Sequence, residues 1–282
     1  MVVSTALVAA CTNPPPAGGF SYSFFASNIT NVHFNGDWPP TFWDPDSEEE
    51  PYLVHLGLQL QVTPSIQVST FVTSTYFNNG NYIGKVGPQQ SLAMGTGDGL
   101  TYSGFQLPDL LDLGNGAPLQ ILGSVEFLFE RDQLIPFGIA QVLAGVSQLI
   151  NAALPTILAN SGALPSDPQG ILNFLGGLLP GIFASIGGIL GAALGSITGG
   201  DPLIGLSPDL FIALGGQLGN FLVSNLPGLL QIIDLVLAQQ NPNPFPNGLP
   251  FQLGVVGYGI TTHFGDPALT STYDVNYGWQ QV

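Results

Sequence analysis

The chain has 282 residues, 45% of them hydrophobic and only 7% charged, with two basic residues against 18 acidic ones and a formal net charge of -16. An average soluble domain carries roughly a quarter charged residues, yet the apolar content here suffices for a sizeable core, which excludes bulk disorder. Lys85 and Arg131 are too few to neutralise a phosphate backbone, which excludes nucleic acid, and an anionic membrane is an equally poor electrostatic partner.

In strong acid the carboxylates would be neutral, leaving positive charge only on Lys85, Arg131, three His and the amino terminus. Self-repulsion would then be small. An acidic working environment is one expectation from this balance. Composition drift in a Gly-, Ser-, Asn- and Gln-rich extracellular protein is the plainer one.

Residues 1–36 hold two strand-like runs, Val2–Cys11 and Phe20–Phe34, parted by a Pro14-Pro15-Pro16-Ala17-Gly18-Gly19 loop. Val8-Ala9-Ala10-Cys11 resembles a bacterial lipoprotein cleavage box, but the basic residues that should precede it are missing, and an ordinary first strand is the simpler reading. Cys11 is the only cysteine, so no intrachain disulfide can form. Asn28-Ile29-Thr30 matches a glycosylation sequon.

Residues 37–51 gather six acids among prolines and aromatics, and the prolines make this stretch a loop. Asp44, Asp46, Glu48 and Glu50 are candidate calcium ligands, because a hard cation takes carboxylate oxygens. The loop lacks the glycine of an EF-hand, and a solvated acidic loop is the alternative. Trp38 and Trp43 beside it could dock on a partner, on lipid, or over the frame.

Residues 52–133 read as strands. Leu58, Leu60 and Val62 alternate on one face, and a second strand follows through Ile66, Val68 and Val72. Asn78-Asn79-Gly80-Asn81 is a hairpin turn, since Asn and Gly tolerate positive φ. Further strands are predicted at Leu100–Phe105 and Leu119–Glu130. In the latter, Val125, Phe127 and Phe129 face one way, while Glu126 and Glu130 face the other.

From 134 to 240 the apolar segments outgrow strand length. Prolines 136, 155, 180, 208 and 227 are placed as helix starts, where a missing N–H costs least. Helices are predicted near 137–152, 155–161, 168–178, 180–197, 208–224 and 227–240, with Ser207-Pro208-Asp209 as the clearest start signal. Val142, Val146, Leu149, Ile150 and Leu154 form one core-facing stripe, and Leu229, Ile232, Ile233, Val236 and Leu237 form another. Ile171–Ile197 carries no charge and reaches bilayer-spanning length, with Gly187, Gly191 and Gly195 as a small-residue ridge. Phe174, Leu178, Phe183, Ile186 and Leu190 are its candidate membrane or subunit contacts. No basic residue flanks it, so the usual topology signal is missing.

Residues 241–250 are a rigid return, after which Phe251–His263 and Leu269–Val282 are strands again. The expected fold is therefore α+β. An antiparallel β-sandwich frame, 1–133 plus 246–282, receives a long Gly-rich apolar helical insertion, 134–245, before its last strands. His33-Phe34-Asn35-Gly36-Asp37 and His263-Phe264-Gly265-Asp266 each sit where a strand enters a turn. If the first and last strands pair, both histidines lie at one end of the frame, as a metal or acid–base site or as ordinary turn chemistry. No nucleophile elbow, phosphate loop, dinucleotide fingerprint or zinc spacing marks a catalytic or cofactor-binding residue.

The leading functional expectation is a non-enzymatic extracellular or cell-surface protein that self-assembles as a coat, sheath or filament subunit and so forms a homo-oligomer. The first alternative is a membrane-active or pore-forming protein using residues 171–197 to enter a bilayer. The second is a metal-dependent hydrolase. Cofactors are expected to be none, or calcium.

Overall fold

The computed structural model describes residues 20–33, 50–62, 67–73, 86–94, 99–130, 139–158, 164–194, 203–239, 252–265 and 271–282. The expected strand Val2–Cys11, most of the acidic loop, the hairpin turn at 78–81 and the return at 241–250 lie outside them, as do Lys85 and Arg131.

The chain closes on itself through its ends. Strand β1 (Phe20–His33) pairs antiparallel with β10 (Thr272–Gln281), from Tyr22 opposite Gln281 to His33 opposite Thr272. The other edge of β1 is shared by β4 (Ser91–Ala93) and β5 (Leu100–Phe105), and β9 (Ile260–Phe264) flanks β10. The second sheet runs in the order β3 (Gln67–Thr73), β2 (Pro51–Val62), β6 (Leu119–Glu130), β7 (Leu203–Ala213), β8 (Gln252–Val255). Between β5 and β6 lies a single turn of helix, α1 (Leu110–Gly114), closed by a capping box between Asp109 and Asp112.

Three layers result. The first sheet packs against the second through a core that includes Phe24, Tyr102, Tyr273 and Val275 on one side and Leu53, Leu122, Leu128 and Phe211 on the other. The opposite face of the second sheet, through Val54, Leu56, Leu58, Ile121, Phe127 and Ile212, packs against three helices. These are α2 (Ile139–Leu158), α3 (Pro168–Leu194) and α4 (Gly216–Ala238), with α3 in contact with both others. The second sheet is thus buried on both faces. That explains why β2 and β6 read as near-continuous apolar runs rather than clean alternations.

The sandwich, the helical layer and the pairing of β1 with β10 match expectation, but several elements differ. Ser207-Pro208-Asp209 starts no helix. It lies inside β7, between β6 and β8 in the second sheet. Pro208 fits there because the ladder to β8 begins only at Asp209, so β7 is still an edge on that side. β7, α4 and β8 form a crossover unit, since β8 runs parallel to β7 and a parallel neighbour needs a long connection. The run Phe251–His263 is also two strands, β8 in the second sheet and β9 in the first, separated by a turn in which Gly257 adopts φ 95°.

Prolines 155, 180 and 227 lie within α2, α3 and α4 rather than at their starts. An interior proline costs about 3 kcal/mol. In α3, however, Leu175, Leu178 and Leu179 before Pro180 and Ile182, Phe183 and Ile186 after it are buried in one core. At about 1.5–3 kcal/mol for each such side chain, burial on both sides of the proline outweighs the lost hydrogen bond.

At Gly123 a side chain has no room. An added Cβ would stand 2.7 Å from Leu210 Cδ2 and 2.9 Å from Leu58 Cδ2, the cross-strand neighbours that lean over it. Gly123→Val is expected to lower stability by about 1–3 kcal/mol through overpacking, read as a shifted midpoint in chemical denaturation.

Candidate functional site

A polar cluster lies inside the sandwich. His55 on β2, Glu126 and Ser124 on β6, and Ser207 and Asp209 on β7 share the face of the second sheet that meets the first. The ladder sets His55 opposite Glu126, Glu126 opposite Ser207, and Ser124 opposite Asp209. His55 and Glu126 are 0% exposed and Asp209 is 1% exposed. His55 Nδ1 lies 3.8 Å from Glu126 Oε1.

The first sheet supplies the lid. Thr262 on β9 donates its hydroxyl hydrogen to Asp209 Oδ2 at 3.3 Å, and Ser207 donates to Asp209 Oδ1 at 3.1 Å. Tyr102 on β5 donates to the Gly123 carbonyl at 2.5 Å, a second bond from sheet to sheet. The Tyr277 ring on β10 stands edge-on to His55, with centroids 6.1 Å apart.

Burial controls the electrostatics. Loss of hydration pushes the Glu126 carboxyl up to about 8, even though Ser124 and Asp209 favour its charged form. Asp209 is raised well above the usual carboxylate range, first by burial and then by the Glu126 charge, against opposition from Ser207 and Thr262. The Tyr102 and Tyr277 hydroxyls are raised by burial and by the same two carboxyls. The cluster therefore holds protons that exposed acids release. Its groups are shut away from solvent, so its chemistry acts on the fold rather than on a diffusing substrate.

The sequence reading set Glu126 on the face opposite Val125 and Phe127, which is correct, and in the structure that face belongs to a second core. The available signal was weak but real. In a chain with so few charges, His55, Glu126 and Asp209 each interrupt an apolar strand.

A second feature lies on the helical layer. The inner stripe of α4, Leu229, Ile233 and Leu237, is buried. Ile232, Leu235 and Val236, one step round the helix, are 46%, 63% and 40% exposed. Two of these, Ile232 and Val236, were expected in the core. On α2, Val146, Ile150 and Leu154 are buried as expected, whereas Leu149 is exposed. α4 carries one charged residue, Asp234, and both α3 and α4 are long and apolar enough to cross a membrane by length and composition.

Of the residues predicted as membrane or subunit contacts, Leu178, Phe183 and Ile186 are buried in the chain's own core, and Phe174 packs partly buried against it. The Leu190 side chain, Trp38 and Trp43 lie outside the described residues, as do Asp44, Asp46 and Glu48, while Glu50 is half-buried just before β2. His33 and His263 are brought to one end of the first sheet, where both their strands flank the start of β10. His263 Nδ1 lies 2.7 Å from Asp274 Oδ1 in an exposed pair. Among the described residues, no group of three or more His, Cys, Asp or Glu is placed to hold a metal ion.

Comparison of the chain with protein-family models, with curated proteins and with solved structures finds no match.

Tyr102→Phe removes one of the sheet-to-sheet hydrogen bonds while keeping the ring. It is expected to cost about 1 kcal/mol, measured by chemical denaturation, with the fold retained in circular dichroism.

Proposed function

We propose that the protein is a self-assembling extracellular or cell-surface protein, a coat, sheath or filament subunit, whose copies meet through the outer face of α4. The observation that carries this reading is the exposed Ile232, Leu235 and Val236 stripe on a helix with a single charge. Apolar side chains at this spacing are what a second helix packs against. A second copy suits this face, because another α4 brings more apolar surface and little charge. The opposing force is the net charge of -16, which repels like copies at neutral pH. Assembly should therefore strengthen as pH falls towards the isoelectric point near 4.1, or as salt screens the charge.

The membrane-active reading rests on the length and hydropathy of α3 and α4. For α3, Ile171, Leu175, Leu179, Ile182, Phe183 and Ile186 would pass from core to lipid, both apolar, but the partners left in that core, Leu56, Leu58, Ile121 and Phe127 among them, would lose their cover. At about 1.5–3 kcal/mol for each partner exposed to water, that loss rivals the whole stability of a typical domain, about 5–15 kcal/mol. α4 could lie on a bilayer, but helices that do so usually carry Lys or Arg on the polar face, and α4 has neither. Packing between copies is the better supported use of this surface.

Calcium belongs to this proposal as a ligand of the acidic loop through Asp44, Asp46, Glu48 and Glu50. Assembly that is unchanged by a chelator removes it from the scheme.

The test is light scattering at micromolar concentration across acid to neutral pH. Wild-type protein is expected to form ordered oligomers. The double variant Ile232→Asn/Leu235→Asn is expected to stay folded and monomeric. A monomeric wild type at every pH would overturn the reading, and dye release from neutral liposomes would favour the membrane alternative.

A further inference from the structure

We propose that Glu126 and Asp209 form a proton-operated clasp between the two sheets, closed in acid and released on the alkaline side. The pair sits where the sheets meet. Asp209 on β7 is held from the first sheet by Thr262, and Ser124 lies opposite Asp209 in the ladder with Glu126 two residues on. Each neighbouring element contributes a polar or titratable group. β2 brings His55, β6 brings Ser124, β7 brings Ser207, β5 brings Tyr102, β9 brings Thr262 and β10 brings Tyr277. The chain's two basic residues, Lys85 and Arg131, lie outside the described residues.

With protons retained, the two carboxyls are neutral and the sheets close over an uncharged core. Deprotonation leaves a buried anion beside a second acid, where the low dielectric strengthens repulsion and hydration cannot follow. Relief comes from separating the sheets and admitting water. Among the described residues, His55 is the neighbour that could accept the proton from Glu126 and hold it as an ion pair, and the experiment below separates that outcome.

The sign follows from proton counting. Folded Glu126 keeps its proton up to about 8, whereas the unfolded carboxyl loses it near 4.5. Between those values the native state binds more protons, so stability is fully present below the lower one and falls as pH rises to the upper one. For one proton the folding constant drops by up to about tenfold per pH unit, or about 400-fold from pH 5 to pH 8. A proton retained on Asp209 steepens the fall.

The experiment compares chemical denaturation from pH 5 to pH 8 for the wild type, Glu126→Gln, Asp209→Asn and the double variant. The surface acids are common to all four. The amide variants are expected to flatten the pH dependence by about tenfold per unit for each proton removed. Infrared spectra give a second readout on the folded wild type. A protonated-carboxyl band is expected to persist at pH 7, where exposed acids are ionised, and to be lost in the double variant. The infrared measurement stands even if Glu126→Gln does not fold. The clasp is refuted by a wild-type slope that survives in the folded amide variants. It is equally refuted if no such band is present at pH 7, or if the band is unchanged in Glu126→Gln, the result expected were Glu126 ion-paired with protonated His55 and only Asp209 protonated.

Discussion

The second sheet is buried on both faces, and most of the structure follows from that constraint. β2, β6 and β7 must satisfy a helical layer on one side and a second sheet on the other. Each strand therefore needs apolar residues at successive positions, and any polar residue on either face has to find its partners inside the protein. Tyr102, Thr262 and Ser207 meet that requirement by hydrogen bonds to Gly123 and Asp209. The same enclosure raises Glu126 and Asp209 out of the ordinary carboxylate range.

Scarcity of charge and enclosure of charge belong together here. With two basic residues in the chain, ion pairs can contribute little, and hydrophobic area with backbone hydrogen bonding must hold the layers. A buried carboxyl in such a chain has few cations to pair with, so neutralisation by a proton is the cheapest state for it.

The helical layer shows how packing overrides local signals. Prolines mark helix starts because the first turn has no use for their N–H, yet α2, α3 and α4 each continue through one. Continuous apolar faces on both sides of the proline make one longer helix better than two short ones. Close approach across the layer is helped by Gly176, where an added Cβ would lie 3.4 Å from Ile232 Cγ2 on α4. α3, more buried than α4, is also the helix whose uncharged sequence reads as a membrane span. Its role in the core and its hydropathy have a single cause.

Much of the architecture was readable in the amino-acid order. Alternation and turn residues located β1, β2, β5 and β6 almost to their ends, and segment length separated strands from helices. The β–helical–β succession implied that the chain's two ends share a frame. Local pattern could not decide matters that depend on who the neighbour is. Ser207-Pro208-Asp209 carries good helix-start chemistry, but β6 offers β7 a full ladder of partners, and that cooperative gain outweighs a cap. Phe251–His263 reads as one strand, and only a turn at Gly257 sends its halves to different sheets. Glu126 was assigned to the right face by its period of two. That this face is dry was decided by the first sheet folding over it, because burial is a property of the assembled layers and not of the strand.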